Sequence, residues 1–299
     1  MSKGYIKFWG VRGSNPTPDK DKVEFGGDTS CVEVRTSNND LIILDMGSGI
    51  RSLGKQLLKE ENSPKTIHIF LSHFHFDHIM GFLVFPPLFD ESYTVNIYGY
   101  NKHTSTKSFS DKIMDPTFWP VGLDILKAKI NFINLNGELF KISETTSLTY
   151  KHHPHPGTAT SYKVNVDGAT ILYTTDCEHP DHKFNQNVLD LANNSDFLIH
   201  DSHFTPEDLI AHKGWGHSSW ETTVNLAKTT NIKQAILYHF NPLYTDKQLL
   251  KIESQAKCIF ENTIAAKQGL KINIKKDKSP VTNGDLKVNE IIIQRINKK

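Results

Sequence analysis

The sequence of 299 residues predicts an α/β layered fold, and three observations carry that expectation. Short apolar runs rich in β-branched residues occur at 41–44, 67–71, 171–173, 197–199 and 235–238, each of strand length. Helical patterns separate several of these runs from the next. Meander-like runs at 6–9, 31–35 and 41–44, and again at 148–151, 161–166 and 169–173, open the two halves in the same style. The halves therefore share a plan, although no residue-level repeat supports a duplication.

Taken in order, the strands at 6–9 and 31–35 lead to 41–44, which is apolar at every position, as a strand covered on both faces requires. Gly47-Ser48-Gly49 then breaks the chain before a helix whose Ile50, Leu53 and Leu57 share one face. The run at 67–71 ends on a histidine-rich string. Residues 86–130 fit neither period: Pro86-Pro87, a polar stretch at 103–110 and Phe118-Trp119-Pro120 read as an insertion with its own helix, a flap over a cleft. Asp167-Gly168 is a two-residue hairpin turn. Ser218 with Glu221 three residues on has capping-box form, and Trp220, Val224 and Ala227 follow on one helical face before 235–238. The reading is one domain over 1–275, and a Lys-rich extension over 276–299 whose segment 288–293 serves as an extra strand, a homodimer contact or a tail.

Composition narrows the function. With 37% hydrophobic and 22% charged residues the chain is neither collagen-like, coiled-coil nor wholly disordered. The balance of 34 basic against 33 acidic residues leaves no global field to recruit nucleic acid or an anionic membrane. Three cysteines make no disulfide framework, and neither a signal-peptide h-region nor a spanning apolar run occurs, so a cytoplasmic protein is expected. Fifteen histidines against four methionines and four tryptophans are the anomaly, because imidazole is a metal ligand and a proton carrier near neutral pH.

Four metal-type side chains fall within six residues in His73-Phe74-His75-Phe76-Asp77-His78. Residues two apart in an extended loop point the same way, so His73 and His75 suit one ion. Asp77 and His78, at the turn into a helix, suit a second, with imidazole and carboxylate donors of the kind zinc takes. His217, in Gly214-Trp215-Gly216-His217-Ser218, is the candidate general acid for a leaving oxygen, and Asp201 its orienting carboxylate. Arg12, Ser14 and the Gly47-Ser48-Gly49 helix start have the chemistry to cradle a phosphate. Of the other histidines, His103 and His179 are best placed to touch substrate; the rest read as packing or surface residues, and Cys177 as packing.

The string at 73–78, with Phe8-Trp9-Gly10-Val11-Arg12-Gly13-Ser14, Gly26-Gly27-Asp28-Thr29-Ser30-Cys31, Asp45-Met46-Gly47-Ser48-Gly49, the element at 214–218 and His239-Phe240-Asn241-Pro242, resembles the phosphodiesterase branch of the metallo-β-lactamase superfamily over roughly residues 4–270. That branch includes phosphoribosyl cyclic phosphodiesterases and, further off, tRNA 3′-processing endonucleases; it usually has Asn where this chain has Asp28. The resemblance implies a four-layer αββα sandwich and two divalent cations, Zn²⁺ or alternatively Mn²⁺. It implies His73, His75 and His155 at one site and Asp77, His78 and His239 at the other, with Asp176 shared and Asp45 supporting the loop. His152 and His153 compete with His155, and spacing to Tyr162 favours His155.

The expected activity is hydrolysis of a small, cyclic phosphodiester, a cyclic nucleotide or a phosphoribosyl cyclic phosphate. A tRNA-processing endoribonuclease is the alternative, but its members carry a long Gly/Pro-rich arm, and 86–130 offers only Gly99 and Gly122. A lactonase or β-lactamase lacks a counterpart to the 214–218 element, and a non-catalytic sensor would have lost ligands.

Overall fold

The computed structural model describes residues 4–102, 105–136 and 139–274, so His103 and the extension at 276–299 lie outside the described residues. In chain order the strands are β1 (Tyr5–Gly10), β2 (Cys31–Arg35), β3 (Leu41–Leu44), β4 (Thr66–Phe70), β5 (Thr94–Gly99), β6 (Lys129–Asn134), β7 (Leu139–Lys141), β8 (Thr146–His153), β9 (Ala159–Val166), β10 (Ala169–Thr174), β11 (Phe197–Asp201), β12 (Gln234–Tyr238), β13 (Thr263–Ala265) and β14 (Lys271–Asn273). The helices are α1 (Ile50–Leu57), α2 (Phe76–Ile79), α3 (Lys107–Ile113), α4 (Gln186–Ala192), α5 (Pro206–Ala211), α6 (Trp220–Thr229) and α7 (Asp246–Ile259).

Two seven-stranded sheets form, ordered β14-β1-β2-β3-β4-β5-β6 and β13-β12-β11-β10-β9-β8-β7. Each has an antiparallel part and a parallel part: β3 to β6 run parallel in the first sheet, and β10 to β13 in the second. The side-chain period of two sorts the apolar runs onto two faces. Ile42, Leu44, Ile171, Tyr173, Ile199 and Ile236 fill the space between the sheets. Leu41, Ile43, Ile67 and Ile69 face outward against Ile50, Leu53 and Leu57 of α1. Leu172, Leu198 and Ala235 pack outward against α4 and α6 through Val188, Leu191, Leu226 and Ala227. This is the four-layer αββα sandwich, and it explains why β3, covered on both faces, is apolar at every position. Among the described residues no helix is long and apolar enough to cross a membrane.

Two sequence expectations change. The span 86–130, read as an insertion, holds the expected helix α3 but also β5, a strand inside the first sheet. The N-cap of α6 is Ser219, whose hydroxyl accepts from Thr222 N, and not Ser218. Ser218 is used otherwise: its hydroxyl donates to Cys177 O and its N–H to Asp201 Oδ1 at 2.9 Å.

Candidate metal centre

The site gathers where strands from both sheets end, the usual place for ligands in α/β sheets. The string at 73–78 leaves β4 and is tied to the second sheet: Tyr162 Oη donates to Leu71 O at 2.5 Å and Thr160 N to Ser72 O at 2.9 Å. Asp45, following β3 in the left-handed region (φ 60°), anchors the string. Its Oδ1 accepts from Ser72 N at 2.6 Å, and its Oδ2 from Ser72 Oγ at 2.8 Å, Tyr173 Oη at 2.6 Å and His78 Nδ1 at 2.7 Å. A carboxylate only accepts, so His78 carries its hydrogen on Nδ1 and presents a lone pair at Nε2.

His155, in the turn between β8 and β9, is fixed by the same logic. Its Nδ1 lies 3.1 Å from Gly216 O and donates there, leaving the Nε2 lone pair 3.2 Å from His75 Nδ1. Gly216 sits at φ +86°, and a Cβ there would fall 2.2 Å from His155 Nδ1. Gly13 passes as close on the other side, where a Cβ would meet His239 Cε1 at 2.5 Å. Ser14, at φ 62°, donates its N–H to Asp77 Oδ2 at 2.7 Å.

Two nests of acceptor atoms result. His73, His75, His155 and Asp176 offer ligand atoms within 4.8 Å of one another, and so do Asp77, His78 and His239. Asp176 joins them: its Oδ1 is 3.8 Å from His73 Nε2 and 3.6 Å from His155 Nε2, and its Oδ2 is 3.1 Å from His78 Nε2 and 3.3 Å from His239 Nε2. His73 Nε2 is buried without a hydrogen-bond partner among the described residues. His78 Nε2 and His239 Nε2 stand 3.2 Å apart, each about as close to Asp77 Oδ2, at 3.2 and 3.3 Å. Lone pairs aimed at lone pairs repel unless a cation stands between them, and mixed imidazole and carboxylate donors fit a borderline divalent ion.

The field points the same way. Burial alone pulls an imidazole down, and it takes His155 to about 4 against the pull of Asp176. At His239 burial is outweighed by Asp176, Asp201 and Asp77, which hold the ring up at about 10. Burial would raise the Asp176 carboxyl, but His239, His78 and His73 keep it well below the usual carboxylate range. Carboxylates crowded in a buried site call for positive charge.

Beside the nests, His217 Nδ1 donates to Asp201 Oδ2 at 2.9 Å, which leaves Nε2 for a ligand. Asp201 also accepts from Asp176 N at 3.0 Å and His203 N at 3.1 Å, and lies 3.4 Å from His239 Nδ1. Burial lowers His217 and Asp201 raises it, with a net upward shift. His203, read from the sequence as a packing or surface residue, stacks under His217 at 4.2 Å and 14° and reaches His239 O at 3.0 Å. No spacing signal marks it, and Tyr173 and Ser72 were equally silent. His217 lines a cavity of about 470 Å³ whose walls include Glu178, Asp181 and Lys213.

Other sequence candidates lie elsewhere. Arg12 is fully buried and turns away, bonding Gly26 O, Tyr244 O and Asn241 O, with Asp246 at 3.7 Å. Ser48 Oγ donates to Asp28 Oδ1 and accepts from Thr29 N, while the N–H groups of Gly47, Ser48 and Gly49 are spent on Ser30 and Thr29. The helix start therefore offers no phosphate cradle. His179 accepts from Asn185 N at Nδ1 and so donates from Nε2 to His200 Nε2 at 3.1 Å, and His200 Nδ1 donates to Asp201 O at 2.8 Å. With Cys177 this makes a third histidine-rich cluster, but its ring nitrogens are closed by hydrogen bonds. His152 stacks on Tyr100 at 3.9 Å, outside both nests.

The family model described as "Beta-lactamase superfamily domain" matches residues 41–240, which contain every residue of both nests. The chain belongs to the metallo-β-lactamase superfamily. It is a metal-dependent hydrolase. Among curated proteins it is similar to Ribonuclease Z of Picrophilus torridus, 25% identical over 91% of this chain and 96% of that protein. Among solved structures it is similar to the metallo-β-lactamase fold protein YhfI from Bacillus subtilis (TM-score 0.66, 19% identity, 92% of this chain and 100% of that one). A diphosphatase of the PhnP family shares the fold as well (TM-score 0.64, 17% identity, 91% and 98% of the two chains).

Proposed function

We propose that this protein is a dinuclear metal-dependent phosphodiesterase acting on a small phosphodiester. The observation that carries the reading is Asp176, one oxygen turned to each nest, with the free Nε2 of His217 on the same wall. His73, His75 and His155 would hold one cation, Asp77, His78 and His239 the other. Zn²⁺ is the proposed ion because five of the seven ligand side chains are imidazoles, with Mn²⁺ the alternative. Two bound divalent cations supply an activated water and Lewis acidity at the phosphoryl oxygens.

The chain's own residues do the rest. Asp201 holds His217 with Nδ1 inward, so the protonated ring points its Nε2 hydrogen at the ester oxygen that leaves. The water oxygen ends on phosphorus, the P–O bond to the leaving arm breaks, and that oxygen takes the His217 proton. The outcome is a phosphomonoester and a freed hydroxyl, which stay on one molecule when the substrate is cyclic. Asp45 and Gly216 O keep His78 and His155 in the ligand tautomer throughout.

The sequence reading favours a cyclic nucleotide or a phosphoribosyl cyclic phosphate. A Ribonuclease Z-type endoribonuclease is the second reading, favoured by the full-length likeness to curated proteins of that name. Against it, the charge is +1, which gives little counterion-release drive toward a large polyanion. The test is a panel on the zinc-loaded protein: bis-p-nitrophenyl phosphate, 2′,3′- and 3′,5′-cyclic nucleotides, phosphoribosyl cyclic phosphate, short RNA and a lactone. Turnover of diesters supports the reading; cleavage of the lactone alone overturns it, and cleavage of RNA alone transfers it to the second reading.

A further inference from the structure

Along an extended string neighbouring side chains alternate sides. At 73–75 the imidazoles turn to the nests and Phe74 away from them, and Phe74 with Phe76, the first residue of α2, lines a different hollow of about 680 Å³. Phe109 of α3, then Phe118 and Trp119 beyond it, complete the wall. Phe76 is 58% exposed and Phe118 78% exposed, so two large rings of its wall stand open to water. Ser108 and Lys112 add polar groups at its edge.

We propose that this hollow binds the purine or pyrimidine base of a nucleotide whose phosphate lies at the cation nests, which makes the substrate a nucleotidyl diester. The inference rests on the phosphodiesterase reading for the phosphate's place. Open aromatic faces stack a flat heterocycle without demanding one particular base, and polar edge groups meet its rim. A hollow of this size is in the range of small-molecule sites. The second cavity, beside His217, is the poorer candidate for a base, because Glu178, Asp181, Lys183 and Lys213 put charges of both signs on its wall. The aromatic hollow is therefore the better place for the base, and in the chain His75, the exposed imidazole of the first nest, stands between Phe74 and Phe76 of its wall. A phosphoribosyl cyclic phosphate would leave the aromatic rings uncovered.

The experiment is calorimetric titration of the full, zinc-loaded chain with AMP and, separately, ribose 5-phosphate. The expected result is AMP binding about tenfold to a hundredfold tighter, with Phe118→Ala reducing that ratio about tenfold and Phe118→Trp preserving it. Equal affinities in the wild type, no AMP binding at millimolar concentration, or a ratio that Phe118→Ala and Phe76→Ala both leave alone would each overturn the proposal. Bis-p-nitrophenyl phosphate turnover is followed in parallel. An AMP preference without diester turnover defeats the phosphodiesterase reading and spares the base site, and turnover without the preference does the reverse.

Discussion

Asp77 receives the N–H of Ser14 and faces His78 and His239 within 3.3 Å, so its charge is directed mainly at the second nest. Asp77→Asn is expected to abolish turnover and to lower bound zinc, read by metal analysis; full metal content with full activity would remove it from the centre. His217 is not one of the seven proposed ligands, and its Nδ1 is spent on Asp201. His217→Ala is therefore expected to keep both metals and to lower kcat about 10²–10⁴-fold. Asp45 acts one step back, and Asp45→Asn puts an amide where Ser72, Tyr173 and His78 all donate. Zinc affinity should fall about 10–100-fold, as competition with a chelator would measure. Much of this was legible residue by residue, because metal chemistry uses few side-chain types and the string at 73–78 crowds them together. What stayed hidden were groups that act through a backbone atom or a stacked face: Ser14 N, Gly216 O and the ring of His203 carry no mark in their side-chain identity.

At the scale of elements, the nests depend on loops that leave strand ends with no slack. Gly216 is the clearest case, with φ +86° and no room for a methyl beside His155. Gly216→Ala should cost at least the roughly 1–2 kcal/mol of a left-handed L-residue and displace His155, so both melting temperature and zinc stoichiometry are expected to drop. A variant that melts and binds zinc like the wild type would show that the loop can yield. The apolar runs named most of the strands, since a strand covered on both faces has no polar positions to confuse it. β5 and β6 escaped because Asn96 and Asn131 interrupt their pattern. The two amides face each other across the pair, Asn131 Nδ2 donating to Asn96 Oδ1 at 2.8 Å, and so satisfy in the fold what looks like a loop signal in the sequence. The cap of α6 moved by one residue for a similar reason: adjacent serines offer the same chemistry, and Asp201 claims the N–H of one of them.

Over the whole molecule, the two sheets each deliver part of the centre. Asp45 and the string at 73–78 come from the first sheet, and His155, Asp176, Asp201 and His239 from the second. Cations bound there would hold the halves of the sandwich together, and removing them should loosen the whole fold. Chelation is expected to lower the melting temperature by several degrees, with zinc restoring it, since a ligand at about a thousand times its Kd adds about 4 kcal/mol to stability. An unchanged melting curve would mean that the sheets do not feel the site. One pairing carries a different consequence. The outer edge of β1 is covered by β14, Tyr5 opposite Asn273 and Lys7 opposite Lys271, so β1 is synthesised long before the strand that covers it. Until it arrives, a row of bare amides and carbonyls waits on the nascent chain, open to pairing with a neighbour on the same messenger. Stopping synthesis before Lys271 should therefore yield self-associating polypeptide.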